Sequence, residues 1–240
     1  MTEPQPKKSD LPVRVASAVV MVAVAGTALW LGGLVWAVFA VLVAGGVYFE
    51  WSRLVRGFVA ALGPRLVWLL GGAVYIGVAT VTLLSLRQGD ALSPLVLVLG
   101  VIATDVGAYF AGRTIGGPKI APAISPSKTW AGLAGGMLAA GLTLGLWGGF
   151  IEYALSALGG SVRNPSALFD QDFFILMFAA GAVLAAVSQA GDFFESWMKR
   201  RAGVKDSGAL IPGHGGLFDR LDGLIGVLFV IGLAELMVGR

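Results

Sequence analysis

Residues 173–191 read FFILMFAAGAVLAAVSQAG, and residues 192–200 continue without interruption as DFFESWMKR. The first part carries no charged side chain and is long enough to cross a bilayer, which takes about 17–25 residues. In the second part Asp192, Glu195, Ser196 and Lys199 are spaced i, i+3, i+4, i+7, so a continuing helix presents them on one face. A membrane helix that emerges carrying acid, hydroxyl and cation on one side predicts a polar site at the lipid boundary. An exposed helix laced with i,i+4 ion pairs is the other reading of the same spacing.

Six further apolar runs surround this one, at about Val15–Leu31, Leu34–Phe49, Leu66–Leu86, Leu92–Gly112, Ala131–Ile151 and Gly223–Gly239. The predicted fold is all-α, a polytopic membrane bundle of about seven transmembrane helices. Composition agrees: 57% of the 240 residues are hydrophobic and 13% charged, with a mean hydropathy of +0.83. Soluble domains are about a quarter charged, and a chain this short cannot hide so much apolar surface in one core. A soluble enzyme, a disordered protein and a secreted disulfide scaffold are excluded. Cysteine is absent, which removes thiolate metal sites and cysteine nucleophiles. The 36 glycines are scattered, as suits helices packed through small residues.

With the N-terminus placed in the cytoplasm, only Arg87, Arg163 and Arg240 of the 17 Lys and Arg residues fall outside. That asymmetry sets the orientation under the positive-inside rule. The first run follows Lys7, Lys8 and Arg14 but lacks a convincing cleavage site, so it is expected to be retained. Residues 1–13 are expected to form a disordered cytoplasmic tail and 14–90 the N-terminal spans. Residues 91–240 are expected to form a catalytic membrane domain with cytoplasmic loops 113–130 and 192–222 and a polar cavity on that side.

Several side chains there are equipped for chemistry. Asp105 lies inside the fourth span, where an acid needs a partner, a metal or water; a pair with Arg113 and a cavity wall are the two readings. Ser125 and Lys128 precede the fifth span, where hydroxyls, backbone N–H groups and the helix dipole suit phosphate, or where they are merely an N-cap. Lys199, Arg200, Lys205 and Asp206 lead to a Gly-rich turn around His214, the chain's single histidine. Gly215 and Gly216 let backbone N–H groups come close to an anion. Asp219 and Asp222 then share a helical face beside Arg220. Acids for a hard cation, bases for phosphate and a Gly-rich backbone together describe a site for a metal-bound polyphosphate. The chain has no P-loop sequence.

These residues resemble the phosphatidate cytidylyltransferases (CDP-diacylglycerol synthases). The family pattern stands here as Ser196-x-x-Lys199-Arg200, Lys205-Asp206, Pro212-Gly213-His214-Gly215-Gly216 and Asp219-Arg220-Leu221-Asp222. Ser188 to Asp192, Asp105 to Tyr109 and Ser125 to Trp130 fit as well, although Ser127 stands where the family more often has Lys. The resemblance covers roughly residues 100–240.

The resemblance implies transfer of the cytidylyl group of CTP to phosphatidic acid, giving CDP-diacylglycerol and pyrophosphate. Asp192, Asp219 and Asp222 would hold one or two Mg²⁺ ions. Lys199, Arg200, Lys205, Asp206, His214 and Arg220 would complete the catalytic set, and Asp105, Ser125, Lys128, Ser196, Gly215 and Gly216 would bind substrate. The partners implied are CTP, phosphatidic acid, the bilayer and a second copy in a homodimer, with no nucleic acid. The expected location is the bacterial inner membrane, with the site facing the cytoplasm. A related enzyme acting on another lipid phosphate, and more remotely an anion transporter, are the competing readings.

Overall fold

Each apolar run is a helix. The computed structural model describes residues 11–157, 171–211, 213 and 215–239, with backbone alone for 148–157. The segment Met1–Asp10, Arg163, His214 and Arg240 lie outside the described residues. The helices are α1 (Leu11–Leu31), α2 (Gly33–Phe58), α3 (Leu62–Gly89), α4 (Leu92–Thr114), α5 (Trp130–Ala157), α6 (Gln171–Arg201) and α7 (Phe218–Val238). All seven are long and apolar enough to cross a membrane, and the architecture is a polytopic helical bundle.

The helices outrun the apolar segments that announce them. α1 begins at Leu11, inside the expected tail, α2 continues to Phe58, and α6 reaches Arg201. Hydropathy stops at the first charge, whereas the i→i−4 backbone ladder stops only where a residue breaks it. No Pro or Gly lies between Asp192 and Arg201, so the charged face belongs to the span itself.

The loop 113–130 departs from the purely helical expectation. Gly116 and Gly117 adopt positive φ and end α4, a conformation that glycine takes without steric penalty. The chain then forms an antiparallel hairpin of β1 (Lys119–Ala121) and β2 (Ser125–Thr129), pairing Lys119 with Thr129 and Ala121 with Ser125. Thr129 ends the hairpin and starts α5, its Oγ1 accepting the Gly132 N–H at 3.0 Å.

In the bundle α5 packs between α4 and α6, while α7 packs on α6 and α3. α1 touches chiefly α2 and is mostly exposed. The α6–α7 crossing is very close at Gly191, where an added Cβ would sit 2.5 Å from the Asp222 carbonyl oxygen. That approach brings Asp192 and Asp222 onto neighbouring backbones. Beneath them an aromatic core joins four helices: Trp51 lies 5.7 Å from Phe194 and 5.8 Å from Phe218, ring centre to ring centre. Its indole N–H donates to the Trp68 carbonyl at 3.0 Å. The hairpin, the C-terminal turns of α2 and α6 and the start of α7 meet at this end of the bundle.

Candidate active site

The hairpin delivers Lys128 to α6, where its ammonium pairs with Asp192 Oδ2 and stands 5.3 Å over the Phe193 ring. The hydroxyl of Ser196 donates to the other Asp192 oxygen at 3.3 Å. Arg200 Nε donates to the Ile124 carbonyl at 3.4 Å, which ties the hairpin turn to the end of α6.

About two helical turns on from Asp192, Lys199 is shared by two helices. Its Nζ lies 2.7 Å from Asp219 Oδ1 on α7 and 2.5 Å from Glu195 Oε2 on α6. Glu195 is fully buried. Neither of its oxygens has a well-formed hydrogen bond among the described residues, so the Lys199 charge is its main compensation. Two carboxylates crowd one ammonium in a dry setting, where stripping one partner from a charge is expensive.

Asp219 is anchored from its other side by the Gly-rich loop. Its Oδ2 accepts the N–H groups of Ser207 at 2.9 Å and Gly216 at 2.8 Å, and the Ser207 hydroxyl at 3.0 Å. That hydroxyl also lies 2.9 Å from Glu50 Oε2. A serine has one proton to give, so it serves one of these two carboxylates at a time. Glu50, buried at 1% exposure, further accepts the N–H groups of Leu217 at 3.1 Å and Phe218 at 2.8 Å. Those are orphan donors at the start of α7. Gly216 is required here, because a Cβ would sit 2.6 Å from Glu50 Oε2.

Asp222 Oδ1 accepts the Gly223 N–H at 2.8 Å, and its carboxylate feels the charges of Asp192, Lys128 and Lys199. Asp105 is open to the space beside it and within electrostatic reach of Lys128, Asp192 and Arg220. The pairing with Arg113 does not form; Arg113 instead donates to the Tyr109 hydroxyl at 3.1 Å. Asp105 thus lies within electrostatic reach of the Lys128–Asp192 pair.

The structure therefore brings Asp105, Lys128, Asp192, Ser196, Lys199, Gly216, Asp219 and Asp222 into one network of hydrogen bonds, ion pairs and electrostatic neighbours. Ser125 sits at the start of β2. Lys205 and Asp206 are exposed on the loop, with Asp206 beside Gly215, and Arg200 is exposed on α6 against the hairpin turn. Sequence reading passed over Glu50, Ser207 and the burial of Glu195. Glu50 follows the apolar run ending at Phe49 and so looks like a residue of the connector. An acid in a helix that runs on into Trp51 was the one available signal.

Residues 59–237 match the profile of the cytidylyltransferase family. The chain belongs to that family. It is 31% identical over 262 residues to a phosphatidate cytidylyltransferase of Brucella melitensis, covering 90% of each chain. It is 35% identical over 225 residues to the phosphatidate cytidylyltransferase of Rickettsia bellii, covering 91% of this chain and 88% of that one. The protein of the same name from Rickettsia felis is 32% identical, covering 94% of each. The likeness thus reaches well before residue 100, into helices whose apolar composition hid it.

The donor set also suits the metal that the resemblance implies. Asp105, Asp192, Glu195, Asp219 and Asp222 supply five carboxyl groups against Lys128, Lys199 and Arg220. An excess of oxygen donors fits a hard divalent cation. Among the described residues no three acids converge on one point. Mg²⁺ needs only one or two carboxylates beside water and substrate phosphates. Asp222, in electrostatic reach of Asp192, meets that need better than Asp219, whose oxygens face Lys199, Ser207 and Gly216; Asp192 would join it once Lys128 and Ser196 turn from its oxygens.

Proposed function

We propose that this enzyme transfers the cytidylyl group of CTP to phosphatidic acid, releasing pyrophosphate and forming CDP-diacylglycerol, with the site open to the cytoplasm of a bacterial inner membrane. The observation that carries the reading is the Lys128–Asp192 and Lys199–Asp219 arrangement at one end of a membrane bundle. It combines cations suited to phosphate with acids suited to a hard metal ion. The names and coverage of the relatives support the choice of substrates.

A phosphate oxygen of the lipid attacks the α-phosphorus of CTP. The new P–O bond forms as the bond to the β-phosphate bridging oxygen breaks, and the leaving pyrophosphate keeps that electron pair. The lipid phosphate is already anionic, so the step asks little of a general base. Positioning and charge neutralisation supply the rate. Bound Mg²⁺, held by Asp192 and Asp222, would neutralise phosphate charge. Lys128 and Lys199 would turn from their carboxylates toward the phosphates, with Arg220, Arg200 and Lys205 taking pyrophosphate from the open side. The Gly215–Gly216 backbone and His214 would line the triphosphate path, and Ser125 and Ser196 would hydrogen-bond phosphate oxygens. Asp105 would keep Lys128 in register.

The test is a substrate panel for detergent-purified protein supplied with CTP, Mg²⁺ and one lipid phosphate at a time. Mass-identified CDP-diacylglycerol from phosphatidic acid, well above other lipid phosphates, is the expected result. Preference for a different lipid phosphate would overturn the substrate assignment.

A further inference from the structure

Asp192 and Asp222 stand on neighbouring backbones at the Gly191 crossing, and their carboxylates lie in mutual electrostatic reach. Two like charges so placed disfavour each other, so the pair calls for a cation. Here that cation is Lys128. Its ammonium pairs with Asp192 Oδ2, and its charge also reaches Asp222. The two lysines of the site differ in how firmly they are held. Lys199 is 15% exposed and faces a fully buried Glu195 and an Asp219 at 7%. In the Lys128–Asp192 pair the side chains are 21% and 31% exposed. Water reaches both partners, so parting them costs little beside breaking the dry pairs of Lys199. The hairpin need not move for this. Its base is fixed by the buried Thr129 and by the Trp130 N–H, which donates to the Pro118 carbonyl at 3.1 Å. The flexible Lys128 stem can swing on its own, and Asp105, within electrostatic reach, offers the ammonium a second acid.

We propose that Lys128 is a built-in competitor of the divalent metal at Asp192. The ammonium and the metal ion hold the same carboxylate in turn, and the metal loads together with nucleotide, whose phosphates draw Lys128 away. The inference rests on the metal role given above to Asp192 and Asp222. Both occupants answer the same demand for positive charge beside two acids, and a cation on Asp192 repels a second one. A pair closed about nine-tenths of the time weakens metal binding to the free enzyme about tenfold, because apparent affinity scales with the fraction of competent site.

The probe is Mn²⁺, titrated into detergent-purified protein without nucleotide and read by electron paramagnetic resonance. Lys128→Met keeps an unbranched apolar stem and is expected to bind Mn²⁺ about tenfold more tightly than wild type. Lys128→Arg, still able to pair with Asp192, should bind as wild type does. The gain should vanish in Lys128→Met/Asp192→Asn. Equal Mn²⁺ affinity in wild type and folded Lys128→Met would overturn the proposal. So would a gain that survives Asp192→Asn, since it would reflect net charge alone.

A second readout leaves the chain unmutated. An ammonium engaged with a carboxylate is shielded from acetic anhydride, so saturating Mn²⁺ should raise acetylation of Lys128 about tenfold by the same fraction. The modified peptide is counted by mass spectrometry, with the exposed Lys119 as internal reference. Unchanged acetylation of Lys128 would overturn the proposal. Tighter Mn²⁺ binding by Lys128→Met in a protein that makes no CDP-diacylglycerol would sink the reaction and leave the competition standing. Turnover with an Mn²⁺ affinity indifferent to Lys128 would do the reverse.

Discussion

The Glu50 carboxylate on α2 accepts the backbone N–H of Phe218 at 2.8 Å, across 168 residues of chain. Through this bond and those to Leu217 and Ser207, the second helix fixes the start of α7 and the loop that carries Asp219. The N-terminal half of the bundle therefore sets the geometry of the catalytic half.

Removing that carboxylate should show both roles. Each buried donor left without an acceptor costs about 1–3 kcal/mol. Glu50→Ala is expected to lower the thermal midpoint in detergent and to reduce kcat at least about tenfold. Glu50→Gln, which keeps one acceptor oxygen, should recover part of the midpoint. Wild-type kcat in Glu50→Ala would show that α7 is placed by packing alone.

Lys199 stands between two acids, so its charge and its chemistry can be separated. Lys199→Met leaves Glu195 and Asp219 facing each other, a loss on the scale of ~3–5 kcal/mol for a broken buried pair. The double variant Lys199→Met/Glu195→Gln should regain most of that stability, read by thermal unfolding, yet stay inactive. Recovery of turnover together with stability would remove Lys199 from the phosphate-binding role.

The metal assignment is read from a Mg²⁺ titration. Asp222→Asn should raise the half-saturating Mg²⁺ concentration about tenfold or more, and Asp192→Asn should do the same while freeing Lys128. Asp219→Asn should mainly lower kcat, because its oxygens face Lys199 and the loop amides. An unchanged Mg²⁺ curve in Asp222→Asn would move the ion elsewhere.

The Thr129 cap is a local test of the hairpin's purpose. Thr129→Val removes the acceptor of the Gly132 N–H, worth ~1 kcal/mol at a helix start, and loosens the strand that carries Lys128. A rise in KM for CTP with little change in kcat is expected. A fall in kcat with KM for CTP unmoved would detach the hairpin from nucleotide binding.

The seven spans were legible because each is an uninterrupted apolar run of bilayer length, and the candidate site because Asp192, Lys199, Asp219 and Asp222 keep a fixed local spacing. The rest depends on contacts that cross the chain. Nothing near Glu50 announces that it will be buried against Ser207, and nothing near Lys128 says that a hairpin will swing it onto Asp192. The aromatic core is likewise invisible in sequence, since Trp51, Trp68, Phe194 and Phe229 read as ordinary membrane aromatics until four helices bring them together.

The most direct test of the central claim uses CTP labelled in turn on its α- and γ-phosphates, with phosphatidic acid, Mg²⁺ and the purified protein. Label from the α-position should appear in lipid and label from the γ-position in pyrophosphate, with chelation abolishing both. Label from the γ-position in lipid, or none in lipid from either position with well-folded protein, would contradict cytidylyl transfer.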